Sequence, residues 1–342
     1  MNVTLRGAKA KIGLIIALAM IVAGGVLYSL LGGEKQDTAA VAVMDTAAVV
    51  KVWGAEADPY AQRLKELDEV FSAYDTDAEL YRLNQSGGGT ASATLAAVLG
   101  MAVRYNALCP TVDVTCGALI DLWGISSDNP RVPSDAEIAQ AMKTVGADKL
   151  TVSGSAVTIA PGTKVELGCC AKGYACDVLY EMLRDNGVDC AVVTMDSSAL
   201  LYGEKPDGSP FSVSVKDPDD ENAVMGSFTT GACFVSTAGG YERNFTSGGV
   251  TYSHIFDLAT GKPAVTDLTS VTVVTDSGFA SDFIDTAVYI AGSAGLAPFL
   301  SGTMFPDLNY EVIAVTDTHK VYVSDGLRDS FSITDPNFTL AQ

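Results

Sequence analysis

Asp282 and Thr286 stand four residues apart in Asp282-Phe-Ile-Asp-Thr286, so a helix there puts a carboxylate and a hydroxyl on one face. Two hard oxygens so placed suit Mg2+, which takes few protein ligands and completes its shell with water and phosphate. An acid that complements a helix dipole, with a buried threonine beside it, has the same signature without any metal. A second grouping is Glu166-Leu-Gly-Cys-Cys-Ala-Lys-Gly-Tyr-Ala-Cys-Asp177, a glycine-bearing turn leading into a helix with Lys172 in its first turn. Backbone N–H groups with a lysine alongside make an anion site suited to phosphate. A structural turn with a solvated lysine fits the same spacing. The third grouping is Tyr252-Ser-His-Ile-Phe-Asp-Leu-Ala-Thr-Gly-Lys-Pro263, where His254, one of two histidines in the chain, precedes Asp257 by three residues. His254 could act as a base, a phosphate donor or a ring-stacking group, or simply occupy a strand. The other histidine, His319 in Asp317-Thr-His-Lys320, reads as a surface residue of a hairpin turn.

The elements that must position these residues follow from periodicity. Alternation predicts a strand over 41–54, and the spacing of Leu64, Leu67, Val70 and Phe71 predicts a helix over 59–74. Residues 85–92 form a polar, glycine-rich turn, and a helix over 94–105 is capped by Ser92 or Thr94. Pro133-Ser134-Asp-Ala-Glu137 is a helix start, the serine capping and the glutamate reaching back in a capping box. Short strands are expected at 150–152, 156–159, 191–195, 211–215, 226–229, 234–237, 253–257, 271–275 and 311–316, with helices over 170–186 and 279–291. This mixture lacks the regular alternation of a doubly wound sheet, so the class is α+β. No GxGxxG or GxxxxGK[ST] occurs, which argues against the common nucleotide loops.

Residues 12–31 are an almost wholly apolar run behind Arg6, Lys9 and Lys11. A helix of that length spans a bilayer, and the basic flank favours holding its N-terminus in the cytoplasm and exporting the rest. A cleaved signal peptide is the alternative, although the run exceeds a signal core and the nearest small-residue pattern, Ala39 to Val41, lies well beyond it. The chain then divides into a basic cytoplasmic N-terminus over 1–11, a transmembrane anchor over 12–31, a linker over 32–41 and one large extracytoplasmic domain over 42–342. A formal net charge of -20 makes nucleic acid an unsuitable ligand and leaves sites where a divalent cation is welcome. The seven cysteines show no spaced pair of pairs for zinc, and their crowding over 169–176 suits small hydrophobes better than a disulfide scaffold.

Taken in chain order, these segments resemble the ApbE family of FAD:protein FMN transferases. The resemblance runs through Met44-Asp-Thr46, Phe71-Ser-Ala-Tyr74, Arg82-Leu-Asn84, Val112-Asp-Val-Thr-Cys-Gly117 and Leu122-Trp-Gly124. It continues through Val132-Pro-Ser-Asp-Ala-Glu-Ile138, the Lys172 turn, Ser236-Thr-Ala-Gly-Gly-Tyr241, the His254 segment and the Asp282/Thr286 helix. It implies one α+β domain of two related halves with FAD bound between them. It also implies Mg2+ on the FAD pyrophosphate, held by Asp282, Thr286 and the main-chain carbonyl of Cys169. Lys172, Asp177 and His254 are implied to shape the pyrophosphate and flavin site, with Met44, Tyr74, Asp113, Tyr174, Asp196 and Asp257 lining it.

The implied reaction is attack of an acceptor threonine hydroxyl on the FMN phosphorus with AMP leaving, in which the metal and Lys172 offset phosphoryl charge. His254, Asp257 and Asp285 are the candidates for the base. The implied partner is a membrane-anchored acceptor flavoprotein. Two alternatives share the site: hydrolysis of FAD to FMN and AMP, and FAD binding without turnover. The chain departs from the family where a strand usually ends in Gly-Gly-Asp, for here it reads Val193-Thr-Met-Asp-Ser-Ser198, with the aspartate shifted to Asp196. Glu166 also stands where aspartate is usual, and Ala238 where serine is frequent.

Overall fold

A computed structural model describes residues 36–220 and 222–341. The expected anchor over 12–31 lies outside the described residues, and no described helix is long and apolar enough to cross a membrane. The fold is mixed α/β and divides into two compact units. One comprises the chain up to Lys65 with Lys172–Gly239 and Asp267 onward, the other Glu66–Ala171 and Gly240–Thr266.

The first unit is built on a nine-stranded sheet. Its strands are β1 (Gln36–Val43), β2 (Thr46–Trp53), β3 (Cys190–Met195), β4 (Ser198–Gly203), β5 (Cys233–Gly239), β6 (Leu268–Thr275), β7 (Tyr310–Thr316), β8 (Lys320–Val323) and β9 (Thr339–Leu340). They lie side by side in chain order, and every neighbouring pair is antiparallel except β8 and β9. The strand expected over 41–54 is instead a hairpin. Met44 and Asp45 take φ of 48° and 57° between β1 and β2, the two positive values that a tight two-residue turn requires. Both flanks alternate alike, so the pattern alone runs through the turn unbroken.

Alternate residues of the central strands face opposite ways. Val235, Val274, Ile313 and Val315 join Phe211, Met225, Phe228 and Phe331 in one apolar cluster, beneath a small sheet of Phe211–Lys216, Val224–Thr230 and Phe331–Ile333. The other face, carrying Ser236 of β5, receives a helix spanning Gly278–Ala291. We label the helices over Asp58–Phe71, Ala171–Asp185 and Gly278–Ala291 α1, α2 and α3. With both faces covered, β6 is buried along almost its whole length, Ser270, Thr272 and Thr275 included.

The second unit has helices over Glu79–Ser86, Ala93–Leu108, Gly117–Trp123 and Asp135–Ala141 and a three-stranded sheet. Ser92 caps the second of these helices, and Ser134 with Glu137 closes the expected capping box on the last. Leu119, Trp123, Ile125, Ile138 and Phe256 form its satellite core. The turn expected over 85–92 contains a short strand, Gly88–Thr90, paired with Ala156–Ile159; a Cβ at Gly88 would sit 2.3 Å from the Val157 carbonyl oxygen. The strand expected over 253–257 is broken at His254-Ile255, because Val250–Ser253 pairs back onto Asn244–Ser247 while Phe256–Asp257 pairs with Lys262–Pro263.

Candidate active site

Helices α2 and α3 meet at their first turns through two glycines. A Cβ on Gly173 would lie 1.9 Å from the Gly278 carbonyl oxygen, and one on Gly278 would lie 2.1 Å from that of Gly173. Only glycine allows the backbones this close. Each helix then satisfies the other's exposed N–H groups, which its own turns cannot reach. Asp177 of α2 accepts from the N–H groups of Gly278 (2.6 Å) and Phe279 (2.8 Å), and Asp282 of α3 accepts from Gly173 N–H at 2.7 Å. This reciprocal capping fixes Lys172 and Asp282 on two elements that are remote in sequence.

Asp282 and Asp285 are both only 4% exposed. Asp282 Oδ1 accepts from the Ser198 hydroxyl at 2.8 Å, and Asp285 Oδ2 from the Ser236 hydroxyl at 2.6 Å. Thr286 Oγ1 donates to Asp285 Oδ1 at 3.1 Å, and Lys172 Nζ donates to Ser197 Oγ at 2.5 Å. Burial pushes the Asp285 carboxyl well above the ordinary carboxylate range and the Asp282 charge adds to this; Ser236, Lys172 and Thr286 oppose it. Asp177 is pushed up to about 6, chiefly by burial, against the pull of its two N–H donors. Two buried carboxyls one helical turn apart, with a single lysine as the opposing charge, form an electron-rich site. Desolvated negative charge of this kind is costly unless a cation accompanies it. The oxygen-only donor set of Asp282, Asp285 and Thr286 fits Mg2+ in type. Among the described residues no cluster of three or more His, Cys, Asp or Glu is poised for a metal.

The remaining candidate residues have the following surroundings. In the first unit, Met44 lies in the β1–β2 turn, and Asp196, exposed with φ of 53°, makes the β3–β4 turn. Tyr174 is half-buried on α2, where burial and then Asp177 raise its phenol. In the second unit, Cys169 occupies the turn just before α2, and Tyr74 has the Lys164 ammonium 4.0 Å from its ring centroid. Asp113 Oδ1 accepts from the backbone N–H of Thr115 at 2.8 Å and its hydroxyl at 2.7 Å. Asp257 accepts from Ala259 N–H at 2.9 Å and from the Thr260 hydroxyl at 3.0 Å, so it holds its own hairpin turn. His254 Nδ1 lies 3.1 Å from the Arg243 carbonyl oxygen, which can only accept. A hydrogen bond between them therefore puts a proton on Nδ1.

Three residues enter the sequence reading without a role, Ser236 only within the Ser236–Tyr241 segment and Ser197 and Ser198 only within the departure from the family. Ser236, Ser197 and Ser198 bear hydroxyls that carry no recognisable chemistry in isolation, and only the sheet register places them against α2 and α3. Asp285 was distinguished only as a candidate base. His319 is more engaged than a plain turn residue, with Nε2 2.8 Å from Asp219 Oδ2 and its ring stacked on Phe338 at 4.5 Å.

A mixed α/β fold on a largely antiparallel sheet is not a doubly wound nucleotide binder, and its two glycine-packed helices carry the candidate site. The model of the ApbE family matches residues 44–304, and the chain belongs to that family. It is 30% identical over 277 residues to the FAD:protein FMN transferase of Vibrio cholerae, covering 79% of this chain and 82% of that protein. It is 29% identical over 238 residues to the FAD:protein FMN transferase of Salmonella typhimurium, covering 66% and 68% of the two chains. Among solved structures, the ApbE protein of Thermotoga maritima superposes with a TM-score of 0.78 at 25% identity, covering 85% of this chain and 98% of its own. Flavin transferase ApbE from Vibrio cholerae gives 0.75 at 28% identity, covering 86% and 99%.

Proposed function

We propose that this chain is an FAD:protein FMN transferase that moves FMN from FAD to a threonine hydroxyl of an acceptor protein, releases AMP and depends on Mg2+. The observation that carries the reading is the buried Asp282/Asp285 pair on α3 with Lys172 across from it on α2. Asp282 and Thr286 are the residues we assign to the metal, with Asp285 supporting Thr286 through their hydrogen bond. A magnesium ion bound there would supply charge neutralisation at the pyrophosphate. Lys172 keeps two N–H donors beyond the one given to Ser197, enough to bind phosphoryl oxygens as negative charge builds on them. The reciprocal capping by Asp177 and Asp282 keeps these groups from relaxing apart, so little reorganisation is needed during transfer.

The apolar run over 12–31 behind Arg6, Lys9 and Lys11 supports a further part of the reading. We place the enzyme as a single-pass membrane protein with its folded domain outside the cytoplasm, where a membrane-anchored flavoprotein is the fitting acceptor. Protease added to intact spheroplasts should then digest the folded domain, and protection until lysis would refute this placement.

The activity is tested by incubating the chain with FAD, Mg2+ and an acceptor domain and reading in-gel flavin fluorescence. A fluorescent acceptor band that EDTA abolishes is expected. Normal FAD binding with no labelled acceptor would overturn the reading, and AMP release without acceptor would mark the protein as a hydrolase.

A further inference from the structure

The β3–β4 hairpin is where this chain departs from the Gly-Gly-Asp pattern of its family, and the side chains of Ser197 in its loop and Ser198 just after it both meet residues of the site. Asp196 takes the positive φ of 53° that closes the two-residue loop, and the Ser197 carbonyl accepts the Thr237 N–H at 2.9 Å, fastening the loop to β5. From that anchored position the Ser197 hydroxyl meets Lys172 Nζ at 2.5 Å. Ser198, 1% exposed, meets Asp282 Oδ1 at 2.8 Å.

Each serine has one proton to give. That of Ser198 is directed to Asp282 and that of Ser236 to Asp285, so the 3.4 Å approach of the two hydroxyl oxygens is a packing contact between groups already committed to carboxyls. Asp282 is thereby held on both oxygens, by Gly173 N–H on Oδ2 and Ser198 on Oδ1. Hydrogen bonds to ionised partners are the stronger kind and fix rotamers.

We propose that Ser197 and Ser198 are positioning residues of the transfer site, Ser197 setting the Lys172 ammonium and Ser198 setting the Asp282 carboxylate. The departure at Asp196-Ser-Ser198 is then a support of the site rather than a loss of it. This inference rests on the transferase reading, through the assignment of Asp282 to the metal. The two serines act through different residues, so their loss should leave different traces.

The test uses the FAD-loaded chain with Mn2+ as a spectroscopic probe of the metal site, alongside transfer assays with Mg2+. Ser198→Ala should weaken Mn2+ binding about tenfold, the usual scale for groups that orient a metal ligand, and its transfer defect should be recovered by raising Mg2+. Ser197→Ala should leave Mn2+ binding at the wild-type level and lower kcat about fivefold, with no recovery at high Mg2+. Ser197→Thr, which keeps the hydroxyl, should restore it. Wild-type metal affinity in Ser198→Ala, or a Ser197→Ala defect that threonine does not repair, overturns the proposal. Should Asp282→Asn bind Mn2+ as well as wild type does, the metal assignment itself falls and this inference with it; a loss in Asp282→Asn but not in Ser198→Ala refutes the positioning role alone.

Discussion

The carboxylates of α3 and those of the second unit have opposite surroundings. Asp282 and Asp285 are held by Gly173, Ser198 and Ser236, dozens of residues away along the chain, Asp285 with its neighbour Thr286 besides. Asp113 and Asp257 are satisfied by residues two and three positions downstream, within their own turns. A carboxylate that completes a local turn has been placed by the chain for the chain's own sake. One that is buried and held by remote elements is placed by the fold rather than by its own turn, which marks it as a candidate functional group. Both types of aspartate sit in motif-like sequence, so the type of partner, not the motif, separates them.

The comparison can be broken most forcefully at Asp282. Asp282→Asn, which preserves shape, should cut flavin transfer to an acceptor by at least about a hundredfold while circular dichroism stays native, the scale of losing a main electrostatic group. A variant within tenfold of wild type would place Asp282 with the turn-forming acids.

Next in size is the glycine contact that holds the two helices. Gly173→Ala should lose about 3 kcal/mol of unfolding free energy in urea, because its Cβ would lie 1.9 Å from the Gly278 carbonyl oxygen, well inside any tolerated contact. Gly231→Ala, with nothing within 4 Å, should cost less than about 0.5 kcal/mol. Equal losses would mean the α2–α3 contact is not what fixes the site.

Asp177 gives a pH signature. Burial pushes its carboxyl up to about 6 from the ordinary 3.8, so the folded state holds the proton more tightly than the unfolded chain. The stability it lends is complete below about 3.8 and is lost as pH rises through about 6. Between pH 4 and pH 7 the stability of Asp177→Asn relative to wild type should therefore shift in the variant's favour by about 2 kcal/mol. No shift, or one of opposite sign, would show that the two N–H donors outweigh burial.

The smallest effect belongs to the locally satisfied acids. Asp113→Asn should change transfer by less than about threefold and stability by about 1 kcal/mol, the range of one buried hydrogen bond. A loss of transfer on the Asp282 scale would give this residue a role in the site that its turn contacts do not suggest.

Much of the scaffold was legible in the sequence, since helices were expected close to the observed 58–71, 93–108, 171–185 and 278–291, the first from its 3.6-residue spacing and the second from its Ser92 cap. The strands at 190–195, 233–239 and 310–316 were found for the same reason, as short apolar runs bounded by turn residues. What stayed hidden depends on register. The β1–β2 turn at Met44-Asp45 interrupts a continuous alternation, and no local signal marks β4, whose first residue supports Asp282. Asp282, Thr286 and Lys172 were recognisable by type and spacing. The direction of the Thr286 hydroxyl, toward Asp285 rather than Asp282, was not, because two residues on one helix face can still choose different neighbours. The serines of the hairpin are the extreme case, for only the antiparallel pairing of β3 with β4 and of β4 with β5 carries them to α2 and α3.

The central claim is that the α3 carboxylates form a metal-dependent site for phosphoryl transfer, and calorimetric titration of Mg2+ into the FAD-loaded chain tests it most directly. The account predicts saturable binding of a single ion in wild type and its loss in Asp282→Asn. Identical titration curves for the two proteins would contradict it.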